Sequence, residues 1–122
     1  MTDPLPTHFE HIDPILRVED MARSVRYYSD VLGFDVAPWG TDEFTYVGRE
    51  DRGIYLCRGG QGHPGAWVWV GVGDVRALHR IYRERGAKIR MEPKNLPWAL
   101  EMQIEDPDGN VLRFGSEPEE GV

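Results

Sequence analysis

Ile15-Leu16-Arg17-Val18-Glu19-Asp20-Met21 opens the stretch that decides the fold, and Val31-Leu32-Gly33-Phe34 closes it. The apolar run 15–18 reads as a short strand. Asp20 then stands where a helix N-cap belongs. Met21, Val25, Tyr28 and Leu32 fall at i, i+4, i+7 and i+11, one face of a helix. Gly33 follows as the C′ residue that ends it. Three strands come next: Phe34–Ala37, Phe44–Val47 and Ile54–Cys57. They are separated by Pro38-Trp39-Gly40-Thr41 and by the charged turn Arg49–Gly53.

The plan then repeats. Ala66–Val72 reads as a strand and Asp74 as an N-cap. Val75, Leu78 and Tyr82 form an apolar stripe with Ile81 beside it, and Gly86 ends the helix. Lys88–Met91, Leu100–Ile104 and Val111–Phe114 supply three more strands, with Asp106-Pro107-Asp108-Gly109-Asn110 as a strong turn between the last two. The two N-cap aspartates lie fifty-four positions apart. Such a repeat is architecture. It predicts an α+β fold built from two βαβββ modules, over 12–59 and 66–116, within a single domain 1–122.

The composition fits this reading and excludes others. A chain of 122 residues makes one domain. Fourteen basic against twenty-one acidic residues give a net charge of −7, which argues against nucleic acid as a partner, because phosphate contacts need clustered Lys and Arg. No apolar run approaches the ~20 residues of a membrane helix, so no membrane partner is expected. MTDPLPTHFEH carries neither a basic region nor an apolar one, as a secretory leader would. Cys57 is the one cysteine, which excludes an intramolecular disulfide and a multi-cysteine metal site. A cytoplasmic location is expected.

Pro14-Ile15-Leu16-Arg17-Val18-Glu19-Asp20-Met21, Ser24-Val25-Arg26-Tyr27-Tyr28, Val31-Leu32-Gly33-Phe34 and the closing Asp106–Asn110 together resemble the vicinal oxygen chelate superfamily. This group includes glyoxalase I, extradiol dioxygenases, fosfomycin resistance enzymes and bleomycin resistance proteins. The resemblance implies cup-shaped mixed sheets with the helices on their outer faces. Ala66-Trp67-Val68-Trp69-Val70 and Leu96-Pro97-Trp98, with Glu101 following, are similar to the bleomycin-binding branch, although Ala99 replaces the usual glycine after the Pro-Trp pair. That branch implies an acidic, non-catalytic homodimer that sequesters bleomycin-type glycopeptides and needs no cofactor.

The same resemblance places the superfamily's metal-ligand positions at Asp13, near Tyr55 or Cys57, at Trp67 and at Arg113. Asp can ligate, but Trp cannot, and Arg is a permanent cation. Catalytic sites usually take three protein ligands, so no metal site and no catalytic residue are expected. His8, His11, His63 and His79 form no His-x-His or His-x-x-x-His pair. Ser24 has no histidine near it in sequence. Gly59-Gly60-Gln61-Gly62 lacks the lysine of a phosphate loop.

Aromatic residues are the better candidates. Trp67 and Trp69 are two apart on one strand and so share a face. Trp98 follows a stiff proline in a loop. Trp39, Phe44 and Tyr46 are the first-module candidates, and Glu101, with Asp42 and Glu43, is placed to meet a cationic tail. The expected site is therefore Trp39, Phe44, Tyr46, Trp67, Trp69, Trp98 and Glu101, holding a cationic, planar aromatic small molecule in a homodimer. Two alternatives stand beside this: a metal-dependent enzyme of the glyoxalase or dioxygenase type, and a binder of another aromatic metabolite.

Overall fold

The computed structural model describes residues 5–7 and 10–120. The first sheet contains β1 (Ile15–Arg17), β2 (Asp35–Val36), β3 (Phe44–Arg49) and β4 (Arg52–Cys57), in the order β1-β4-β3-β2. The second contains β5 (Trp67–Gly71), β6 (Lys88–Asn95), β7 (Leu100–Glu105) and β8 (Val111–Ser116), in the matching order β5-β8-β7-β6. In each sheet the first strand runs parallel to the last and the other pairs are antiparallel. One helix follows the first strand of each: α1 (Met21–Arg26) and α2 (Val75–Glu84). This is the α+β architecture of two βαβββ modules.

The helices begin where the aspartates set them. Asp20 accepts from the Arg23 N–H and Asp74 from the Ala77 N–H, both at 3.0 Å, satisfying donors that a helix start leaves open. The α1 stripe predicts an unbroken α-helix to Leu32, but the chain widens into a π-helical turn over Tyr27–Val31. A π-turn inserts extra backbone without ending the helix, and here it delivers two adjacent tyrosines to the second module. The Tyr28 hydroxyl donates to Asp106 Oδ2 at 2.9 Å. The Tyr27 hydroxyl donates to the Glu105 carbonyl at 2.6 Å and accepts from the Lys88 N–H at 3.0 Å.

The strands differ from expectation mainly in length. β3 and β4 run on to a two-residue turn at Glu50 and Asp51, both at positive φ, as a tight twisted hairpin requires. β6 continues past Met91 to Asn95 through Pro93 and two register shifts. It can do so because it is an edge strand, where a missing N–H costs no ladder bond.

One core serves both modules. Leu16, Leu56, Val47 and Tyr28 of the first pack with Tyr82, Met102, Leu112 and Phe114 of the second. Each such side chain contributes about 1.5–3 kcal/mol on burial. The Asp106–Asn110 turn joins the halves as well. Asp108 accepts from the Glu19 N–H at 2.9 Å and from the Ser24 hydroxyl at 3.2 Å, and Asn110 donates to the Arg17 carbonyl at 3.1 Å. The faces turned toward the helices are thus filled, and the opposite face of each sheet is open.

Candidate ligand-binding site

Strand alternation decides which side chains reach the open faces. In β5, Val68 and Val70 pack against the core, so Trp67 and Trp69 point the other way and are 51% and 50% exposed. They are therefore not core tryptophans. Trp69 pairs in register with Arg113 of β8, and the Arg113 guanidinium carbon lies 5.1 Å from the Trp69 ring centroid. Arg90 takes the same position against Trp67, at 5.0 Å. Each is a cation–π contact. Arg90 sits at the β6 register shift between Ile89 and Met91, and a bulge of this kind re-aims the side chain it carries.

Trp98 lies at the tip of the β6–β7 hairpin, 63% exposed, where Leu96 and Ala99 close the loop with reciprocal backbone bonds. Its indole N–H donates to Glu101 Oε1 at 3.3 Å. Trp69 and Trp98 together line a groove of about 650 Å³ that also includes Gly71, Gly115, Glu50, Arg52 and Glu117.

Glu101 was expected to face a ligand cation, but it is 1% exposed. Arg113 grips it with Nε at 2.8 Å and Nη2 at 2.9 Å, and Gln103 adds a bond at 3.1 Å. The Arg113 bonds, helped by those of Gln103 and Trp98 and opposed by burial, hold its pKa down to about 2. Its oxygens are filled by these donors, and it serves to fix Arg113 and Trp98.

The first sheet gathers a second aromatic set. Trp39 and Phe44 stack with centroids 6.5 Å apart, and Phe44 stacks on Tyr55 at 5.2 Å. Tyr46 meets Tyr55 edge-on at 4.8 Å. Tyr55 is the centre of this cluster, although the sequence drew attention to it only as a possible metal position. The period-2 pattern of β4, with Ile54 and Leu56 buried, was the signal that placed it on the open face. Partial burial and the charge of Asp13 raise the Tyr46 pKa, so its hydroxyl stays neutral. Asp42 and Glu43 are both paired with Arg58. Trp39, Phe44 and Tyr46 thus come together on one sheet, and Trp69, Trp98 and Glu101 on the other, with Trp67 next to Trp69.

The donor set does not fit a metal ion. Among the described residues no group of three or more His, Cys, Asp or Glu is placed to hold one. Asp13 bonds to His11 at 2.5 Å, Cys57 is buried, Trp67 is against Arg90, and Arg113 is on Glu101. His79 pairs with Glu92 at 2.9 Å. His8 lies outside the described residues.

The family model described as the glyoxalase/bleomycin resistance protein/dioxygenase superfamily matches residues 8–114. The chain belongs to this superfamily. The solved structures that share its fold include these three. TnmS3, an antibiotic-binding protein from Streptomyces sp. CB03234, is 24% identical with a TM-score of 0.77; the match covers 93% of this chain and 99% of that one. The bleomycin-binding protein of Streptomyces verticillus, solved with copper(II)-bleomycin, gives the same identity, TM-score and coverage. TioX from Micromonospora sp. ML1 is 22% identical with a TM-score of 0.74, covering 93% of this chain and 100% of that one. No curated protein matches the chain in sequence. No described helix is long and apolar enough to cross a membrane.

Proposed function

We propose that this protein binds a planar aromatic small molecule without turning it over, and so sequesters an antibiotic of that shape in the cytosol. The observation that carries this reading is the exposure of Trp67, Trp69 and Trp98 on the second sheet, Trp69 and Trp98 lining one groove, with no metal-competent donor set among the described residues. Exposed indole rings cost solvation and offer stacking worth about 0.5–1.5 kcal/mol per aromatic pair beyond area burial. Likeness to a bleomycin-binding protein and to a second antibiotic-binding protein supports the class of ligand. Bleomycin-type glycopeptides, which carry a planar bithiazole, are the first compounds to try.

The reading includes a homodimer. Each open sheet face is half of a cup, and the exposed Trp39 on one sheet and Trp67, Trp69 and Trp98 on the other form apolar patches of the kind that mark interaction sites. A second copy would bring the first-sheet face of one chain to the second-sheet face of the other.

A thermal-shift screen tests the reading, using metal-free and copper-bound bleomycin beside other planar antibiotics, with each compound recovered and weighed afterwards. At least one planar compound raises the melting temperature and is recovered unchanged. No shift with any of them at about 100 μM, far above the Kd of a dedicated binder, contradicts it.

A further inference from the structure

We infer that the open face of the second sheet takes the anionic group of its planar ligand between Arg113 and Arg90, so that the ligand is an aromatic acid and not an aromatic cation. This rests on the binding reading above, and within it favours planar acids over the cationic bleomycin-type glycopeptides.

Charge is distributed unevenly over the chain. The whole chain carries −7. Yet the strands of the second sheet set Arg113, Arg90, Lys88 and Lys94 on its open face against Glu101 and Glu105. Lys94 stands directly across from Glu101 in the β6–β7 register and so shares its face, as Lys88 does with Glu105. Neither acid is available to a ligand. Glu101 is enclosed by Arg113, Gln103 and Trp98. Glu105 is engaged by Lys88 at 2.9 Å and Arg90 at 3.7 Å. The cations keep open donors. Arg113 uses Nε and Nη2 on Glu101, and its Nη1 makes no hydrogen bond among the described residues. Arg90 uses Nε on Gln103 at 3.1 Å, and its Nη2 is likewise open. Lys94 makes no ion pair among the described residues.

The two guanidiniums are also held in place. A single chain of bonds runs from Arg90 through Gln103 and Glu101 to Arg113, and each arginine rests against a tryptophan ring. The open Nη1 of Arg113 and Nη2 of Arg90 can each give a carboxylate a charge-assisted N–H bond. An aromatic acid would stack on the half-exposed Trp69 or Trp67 ring and set its carboxylate at the guanidinium edge. The groove lining also holds two acidic residues, Glu50 and Glu117, together with Arg52.

Three matched probes test this on the full chain: anthraquinone-2-carboxylate, the neutral carboxamide, and the cationic 2-aminomethyl analogue, titrated by tryptophan fluorescence and calorimetry. The carboxylate binds about tenfold more tightly than the carboxamide, the cation most weakly, and roughly 0.5 M salt narrows the preference. Arg90→Gln brings the carboxylate to within about twofold of the carboxamide on the same variant. Arg90 reaches solvent on an edge strand, so this variant keeps the test sound if Arg113→Lys fails to fold. Equal binding of carboxylate and carboxamide, or tightest binding of the cation, overturns the inference and leaves the aromatic-binding reading standing. Silence from all three overturns both.

Discussion

The outer edge of the Trp69 indole fills the space over Gly115: a Cβ built on that glycine would stand 2.2 Å from Cη2 and 2.5 Å from Cζ2. The first sheet repeats the device, since a Cβ on Gly53 would stand 2.7 Å from Cζ of Tyr46. In each module a glycine in the neighbouring strand gives an open-face ring its seat.

Gly115→Ala therefore displaces Trp69 without deleting it. Overpacking of this kind costs about 1–3 kcal/mol. The expected variant is folded, melts lower, and shows altered tryptophan fluorescence and near-UV circular dichroism. Its affinity for a planar ligand falls as far as that of Trp69→Ala. Wild-type affinity in Gly115→Ala would mean that the Trp69 ring is not a contact surface.

The Glu101–Arg113 pair should appear in the pH dependence of stability. The folded-state pKa of Glu101 is depressed from 4.5 to about 2, so the unfolded chain binds its proton first on acidification. The pair's contribution is full above about pH 5 and is lost as pH falls through 4.5 toward 2. Breaking a buried pair costs about 3–5 kcal/mol, with the lower end expected because Arg113 reaches solvent. Urea unfolding of wild type and Glu101→Gln should show a gap that is widest at neutral pH and shrinks below 4.5. A gap independent of pH would place the loss in packing and not in the charge pair.

Much of this fold is legible because its signals are local. Asp20, Asp74, Gly33 and Gly86 mark helix ends through bonds and dihedral angles within a few residues, and Ile54, Leu56, Val68 and Val70 mark the core faces by alternation. The open face is less legible because it is made by register. Glu101 reads as a free acid until β8 brings Arg113 beside it. Arg90 reaches Trp67 only because a bulge interrupts β6. Tyr55 joins Phe44 and Tyr46 through the β3–β4 pairing. The π-turn at Tyr27–Val31 leaves no mark in the apolar periodicity, since Met21, Tyr28 and Leu32 are buried either way.

Tyr28→Phe tests the joint between the modules. It removes the bond to Asp106, a carboxylate whose pKa burial raises even though it also accepts bonds from Asn110 and the Asp108 N–H. The expected loss is about 1–2 kcal/mol, with unfolding still a single transition because the two modules share one core. Two separate melting transitions in calorimetry would show that each module folds alone.

The proposed homodimer is checked by sedimentation equilibrium at micromolar concentration. The expected species is about 28 kDa, twice the 14.0 kDa chain. A chain that stays at 14.0 kDa would mean that each half-cup acts alone.

Native mass spectrometry of the full chain, mixed with anthraquinone-2-carboxylate or separately with its carboxamide, tests binding without turnover most directly. The account predicts a dimer that retains one ligand per chain, released on activation with its mass unaltered. Retention of neither compound at about 100 μM, or release of a ligand whose mass has changed, would contradict it.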